Sequence, residues 1–344
     1  MVNEAKMVYA KNHLRWVGVV LLLMVLLSAV TIWSLMAGEM KIPFNEMISI
    51  LKNHSGMEYA VLTNIRIPRL LLAFSIGGAL SITGAILQGI YRNPLVEPYT
   101  LGISGGAALG VALVIVSGLN LKLGEFMLPV AGFAGAFVTI FIVYFLGIKR
   151  GEININRMLL IGVMISFIAS SGMMFLMSIT SSDNLHSIIF WTMGSLDEPN
   201  NMLVKTMVFA SLAGLFITIM FAQPLNALRL GEAKATNLGI NAALIIRILF
   251  VVASLLAGLC VAVGGIIGFV GLIIPHIMRS IIGSDYRILL ISSFLGGSIF
   301  LIVSDVLART VISPNELPIG VITGIAGGLV FILVLSRSKQ KSVL

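Results

Sequence analysis

Apolar residues run through this chain in long blocks and seldom alternate singly with polar ones. The blocks occupy residues 16–36, 67–90, 96–117, 126–147, 158–180, 203–222, 243–263, 264–282, 288–308 and 318–336. Each is close to the roughly 20 residues a helix needs to cross a bilayer. The stretch from 243 to 282 is nearly continuous, about twice one span. It divides at Gly264-Gly265, where glycine permits a tight reversal. The pattern predicts an all-α polytopic membrane protein of ten transmembrane helices. One stretch breaks it: LRLGEAKATNLG, residues 228–239. It is too polar to span a bilayer, and a short helical pattern sits between Gly231 and Gly239.

Composition agrees with the pattern. The chain is 58% hydrophobic and 10% charged, against about 25% charged in a soluble domain. No polar stretch is long enough to build a soluble core, so residues 1–344 read as a single transmembrane domain. The net charge of +8 lies in short loops between apolar runs. That distribution is a topology signal, not a nucleic-acid footprint. The basic N-terminus (Lys6, Lys11, Arg15) and tail (Arg337, Lys339, Lys341) place both ends in the cytoplasm, which requires an even number of spans. All the Lys and Arg residues then lie inside except Lys41, Lys52, Arg66, Arg69, Lys122, Lys205 and Arg309. Residues 1–15 form the cytoplasmic N-terminus, 223–242 the largest internal cytoplasmic loop, and 337–344 the tail. The first apolar run exceeds a cleavable signal core and is expected to stay as a helix of a multi-pass cell-membrane protein in contact with lipid.

The chemistry is sparse. The one cysteine, Cys260, lies in an apolar run, and the four histidines are scattered, so no metal site is expected. There is no HExxH motif, and no catalytic residue is proposed. Two glycine clusters (Gly102, Gly105, Gly106, Gly110; Gly264, Gly265, Gly268, Gly271) lack the strand and Lys-Ser/Thr pair of a phosphate loop. They read as surfaces for close helix packing. Segments 69–94 and 247–275 each run Arg, apolar helix, paired small residues, proline; they would cross in opposite directions, as inverted repeats do. Asp305 is the acid clearly inside a span, with Arg309 four residues on. That spacing puts both on one helix face, as a functional group or as a positioning ion pair. One acid is a thin basis for an ion-coupled transporter, the rival class. Energy would then come from a partner docked on the polar stretch, unless that stretch is an interfacial helix resting on headgroups.

Several motifs, in order, resemble one family: RIPR at 66–69, GALSITGAILQ at 78–88, RNPLVEPYTLGISGGAALG at 92–110, WTMGS at 191–195, PLNALRLGEAKATNLGI at 224–240, GGIIGFVGLIIPHIMR at 264–279, and SDVLAR with ELPIGVITGIAGG at 304–328. The chain is similar to the FecCD-type permeases of ABC importers, with the vitamin B12-permease-like type II fold. The resemblance implies import of a ferric siderophore, or of haem or vitamin B12, by ATP-driven alternating access. It implies a dimer with a second permease subunit, ATPase subunits that bind the ATP and Mg, and an extracytoplasmic binding protein; the chain itself needs no cofactor. The LGE-xxA-xxLG pattern resembles an importer coupling helix, which makes Leu230, Gly231, Glu232, Ala233, Leu238 and Gly239 the ATPase contact. Arg66, Arg69 and Arg309 match outward arginines that dock the binding protein, where a planar fork grips carboxylates; the alternative is snorkelling at the interface. Asn93, Pro94 and Leu95, with Asn154 and Asn156, fall where the family has its cytoplasmic gate.

Overall fold

The computed structural model describes residues 2–124, 126–149, 152–198 and 200–338. Ten of its helices answer to the ten apolar blocks: α1 (Val2–Met36), α2 (Ile67–Tyr91), α3 (Ile103–Val116), α4 (Met127–Gly147), α5 (Ile155–Ile179), α6 (Asn201–Met220), α7 (Ala242–Gly264), α8 (Val270–Ile282), α9 (Tyr286–Thr310) and α10 (Ile319–Ser338). Among the described residues seven helical spans are long and apolar enough to cross a membrane; Ile103–Val116, Val270–Ile282 and Ile319–Leu333 are shorter apolar stretches. Shorter helices flank them, at Phe44–Asn53 and Met57–Val61 after α1, Leu119–Leu123 after α3, Ser182–Met193 after α5, and Ala222–Leu228 with Glu232–Asn237 after α6. A two-residue antiparallel ladder pairs Ile148–Lys149 with Glu152–Ile153 between α4 and α5.

Helix α2 is the axis of the bundle. It is buried almost without interruption from Leu72 to Ile90, with α9, α6, α7 and α8 packed around it. Glycine sets the distance of closest approach. A side chain started at Gly77 would come 2.3 Å from the Gly297 carbonyl of α9, and one at Gly84 would come 1.8 Å from the Gly271 carbonyl of α8. The same close crossing joins α3 to α4, where a Gly106 Cβ would lie 2.6 Å from the Gly135 carbonyl. Of the two glycine clusters, Gly106 and Gly271 serve close helix packing, as small residues do where lipid is as apolar as the helix partner; Gly265 and Gly268 instead lie outside any helix, and a Cβ at Gly268 would meet nothing within 4 Å.

Two expected spans are corrected. The block from 96 to 117 becomes helical only at Ile103, after a 3-10 turn at Pro98–Leu101; the block from 264 becomes helical only at Val270, after a non-helical run 265–269. Both half-length helices start after a residue of positive φ, Gly102 at 83° and Phe269 at 68°. Unwound backbone survives at membrane depth only where protein satisfies it, and here the two breaks satisfy each other. The Ile267 amide donates to Tyr99 Oη at 3.4 Å, and the Phe269 amide faces the Glu97 carboxylate. The Gly264 carbonyl accepts from Ser195 N at 3.0 Å. Helix, break and half-helix therefore recur as α2–α3 and α7–α8. The first set starts on one face of the bundle and the second on the opposite face, in keeping with the inverted relation expected from residues 69–94 and 247–275.

The contacts define two faces. On the basal face, Arg229 donates to the Ser284 carbonyl at 2.5 Å, Trp16 Nε1 to the Ile282 carbonyl at 3.2 Å, and Arg15 to the Ile281 carbonyl. The N-terminal part of α1, the 228–239 stretch and the α8–α9 turn thus share one side. On the distal face the end of α1, the start of α2, the end of α9 and the start of α10 meet through Arg69, Glu316 and Arg309.

Candidate functional site

The polar stretch forms a compact basal projection. Helix Ala222–Leu228 leads through a turn into helix Glu232–Asn237. Gly231 at φ 107° and Gly239 at φ 81° bracket the second helix, a conformation that side chains with a Cβ rarely adopt. Ala235 is fully buried and pins the helix down, while Glu232, Ala233 and Lys234 face outward. Leu230 and Leu238 are 58% and 64% exposed. Two bare leucines framing a charged turn on a polar loop make an apolar grip with a charge at its centre. All six residues singled out in the sequence fall on this one projection.

The projection is tied to the bundle by groups that motif reading passed over. Asn226 Nδ2 donates to Asp285 Oδ1 at 2.8 Å, and Asn226 Oδ1 accepts from the Tyr286 amide at 3.0 Å. Asp285 also caps α9, accepting from Arg287 N at 3.0 Å. Tyr286 Oη continues to the Ala85 carbonyl of α2 at 3.2 Å. The projection is thus bonded to the start of α9 and, through Tyr286, linked to α2. Neither Asn226 nor Asp285 carries a sequence signal beyond an Asp placed just before a helix, because their pairing spans 59 residues.

The two gate segments show local roles. Asn93 Oδ1 accepts from the Leu95 amide at 2.9 Å and holds the bend around Pro94, leaving Leu95 52% exposed. Asn154 caps α5, accepting from Arg157 N at 2.9 Å, with Asn156 exposed one position inside the helix. Arg92, which precedes the first segment, places Nη1 3.5 Å from where a Gly231 side chain would begin. The 92–95 segment thus sits beside the basal projection.

The three arginines depart from expectation. Arg66, Arg69 and Arg309 lie on the distal side but are only 3%, 6% and 8% exposed, and they present no free forks. Arg69 donates to Asp305 Oδ1 through Nη2 at 3.0 Å and to Glu316 Oε2 through Nη1 at 2.6 Å. Arg309 Nε donates to Asp305 Oδ2 at 2.9 Å, which realises the i,i+4 pair, and its Nη2 reaches Ser34 Oγ at 3.1 Å. Arg66 Nη1 donates to the Leu35 carbonyl at 2.6 Å, and Nη2 bonds the Met40 carbonyl. The physical reason is the end of α1. A helix leaves its last carbonyls unpaired, and cations there satisfy both the hydrogen bonds and the dipole. Asp305 then pairs with two of the three buried arginines, and Glu316 supplies the second negative charge through Arg69. Glu316, half-exposed on the loop before α10, was not anticipated, nor was Glu97.

The fold is a polytopic helical membrane bundle built around one central helix, with broken half-helices and a polar projection bonded to α9. The chain belongs to the FecCD transport family, whose match covers residues 25–337. It is 36% identical to the hemin transport system permease protein HmuU of Yersinia pestis over 325 residues, 93% of this chain and 96% of HmuU. It is 37% identical over 328 residues to the vitamin B12 import system permease protein BtuC of Klebsiella pneumoniae, covering 95% of each. An inward-facing ABC transporter assigned to the metal-chelate type superposes with a TM-score of 0.84 at 29% identity, over 93% of this chain and 99% of that one.

Proposed function

We propose that this permease imports a bulky iron chelate, a ferric siderophore first, driven by ATPase subunits that grip the basal projection. The observation that carries the reading is the projection itself: Leu230 and Leu238 exposed around Glu232, on a helix fixed to α9 through Asn226 and Asp285. ATP and Mg belong to that partner, which closes on the projection and moves the bundle by alternating access. A second permease subunit completes the path. A binding protein delivers cargo on the distal face, where Arg66, Arg69 and Arg309 hold the rim from beneath. Both chain ends then lie in the cytoplasm. The gate role of Asn93, Pro94, Leu95, Asn154 and Asn156 belongs to the same proposal and is favoured by the closeness of Arg92 to Gly231. Ion coupling is disfavoured, because both oxygens of Asp305 already hold guanidinium forks. Haem and vitamin B12, the cargoes in the names of the two relatives above, are the alternatives.

The test is uptake in cells lacking this gene, with and without its return and with and without the partner ATPase. Radiolabelled iron on several siderophores, haem and vitamin B12 are offered in turn. Loss of one iron–siderophore, restored only with both genes, is the expected result. Loss of haem or vitamin B12 instead replaces the cargo, and uptake that persists without the ATPase overturns the mechanism. In the same cells Glu232→Arg reaches the membrane at the normal level and transports nothing; normal uptake by that variant removes the coupling role.

A further inference from the structure

The helix Phe44–Asn53 follows α1 on the distal side and has three faces. Met47 and Ile50 are buried against a small cluster with Ile42, Leu62, Leu35, Met36 and Ile67. Asn45, Glu46, Ser49 and Lys52 are exposed and form the polar side. Phe44, Ile48 and Leu51 are 56%, 65% and 38% exposed. At 3.6 residues per turn these three fall within about 60° of one another. They form a bare apolar stripe beside the buried one. Three large apolar side chains in register on one short helix are not scattered surface residues, and such a stripe marks an interaction surface.

We infer that this stripe lies in the boundary between acyl chains and headgroups of the distal leaflet, making Phe44–Asn53 a lipid-resting strut. Depth is the first argument. The membrane stretch of α1 runs from Leu14 to Met36. At 1.5 Å per residue that is about 34 Å, enough to cross a hydrocarbon core of about 30 Å, so Met36 marks its edge. The strut packs on Leu35 and Met36 at that edge, and so lies at that same level. Continuity is the second argument. Only 11% of the α1 window is buried, and its exposed side chains include Val25, Ile32 and Trp33. Trp33, three residues from the helix end, suits an interfacial aromatic. The lipid-facing surface of α1 therefore runs up to the strut. Charge is the third, since Lys52 borders the stripe on its polar side and can reach headgroups while its stem stays apolar.

The test uses spin labels on the full-length permease in liposomes. The sole cysteine, Cys260, is buried, so a new cysteine is the reactive one. Labels are placed singly by Phe44→Cys, Ile48→Cys and Leu51→Cys, and by Asn45→Cys and Ser49→Cys. Relaxation is measured with oxygen, which concentrates in lipid, and with a water-soluble nickel chelate. The expected result is a several-fold higher oxygen-to-nickel ratio at 44, 48 and 51 than at 45 and 49. A nickel-favoured signal at all five positions overturns the inference. So do immobile labels at 44, 48 and 51 that neither reagent reaches, which would mean that protein covers the stripe. Labelled protein that elutes as the unlabelled protein does shows that the fold is intact. With three stripe positions, one poorly folding variant does not decide the result.

Discussion

Asp305 is the residue on which the distal cluster turns. Its side chain is 1% exposed and meets Arg69 and Arg309, whose side chains alone are 7% and 6% exposed. Removing one partner of a buried ion group strands the others, typically at a cost of about 3–5 kcal/mol. Glu316 also bonds Arg69, but its side chain is 48% exposed, and an exposed pair contributes about 0–1 kcal/mol. Thermal unfolding of the purified permease in one detergent should therefore show a large fall in Tm for Asp305→Ala and a small one for Glu316→Gln. Similar falls in both would mean that water reaches the cluster and that burial is not what makes Asp305 important. The i,i+4 spacing of Asp305 and Arg309 was readable from the sequence because both lie on one helix. The part played by Arg69 was not, since its bond to Asp305 joins positions 236 residues apart. Nor was the burial of Arg66, which follows from where α1 ends and from the carbonyls left there.

At the scale of elements, hydrophobic thickness made the helices legible and left their breaks obscure. A block of apolar residues shows that a segment can sit in lipid. It does not show where the backbone leaves the helix, because the groups that satisfy a break come from elsewhere. Residues 265–269 are as apolar as their neighbours, and Tyr99 and Ser195 supply the bonds that let them unwind. The crossing of α2 and α8 just beyond that break is also a matter of contact. A methyl at Gly84 would come 1.8 Å from the Gly271 carbonyl, and backbone cannot swing aside as a long side chain does. Forcing extra volume into a packed contact costs typically about 1–3 kcal/mol. Gly84→Ala should lower Tm and reduce the amount of folded protein extracted from membranes, whereas Gly268→Ala, whose Cβ meets nothing within 4 Å, should lower neither as far. Equal behaviour of the two would show that α2 and α8 shift apart freely. The basal projection was legible for the opposite reason to the breaks: its polarity stands out against an apolar chain, and its function lies within one short segment.

The whole molecule leaves a surface that the single chain does not use. On α10, Gly324 and Gly328 lie four residues apart, and a side chain started at either would meet nothing within 4 Å. Val321, Ile325 and Leu329 on the same helix are exposed. The contrast with Gly320 and Gly327, where a Cβ would come 2.4 Å from the Met193 carbonyl and from Phe269, shows that α10 turns Gly324 and Gly328 away from the rest of the chain. Small residues at four-residue spacing let a second helix approach closely in lipid. Under the proposed function that helix belongs to the second permease subunit, and the outward glycines mark where it packs. Gly324→Leu with Gly328→Leu should therefore leave the single chain folded, with Tm and extraction yield unchanged, because nothing within it is displaced. The same change should abolish association with the second permease subunit, a second copy or a close homologue, read as a shift from dimer to monomer by native mass spectrometry of the co-expressed permease in mild detergent or by loss of cross-linking from cysteines placed on α10. Retained dimers would move the subunit contact to another face and leave α10 to lipid or to the translocation path. Those two are separated by uptake: a helix facing lipid tolerates the leucines, whereas a helix lining the path narrows it and slows transport.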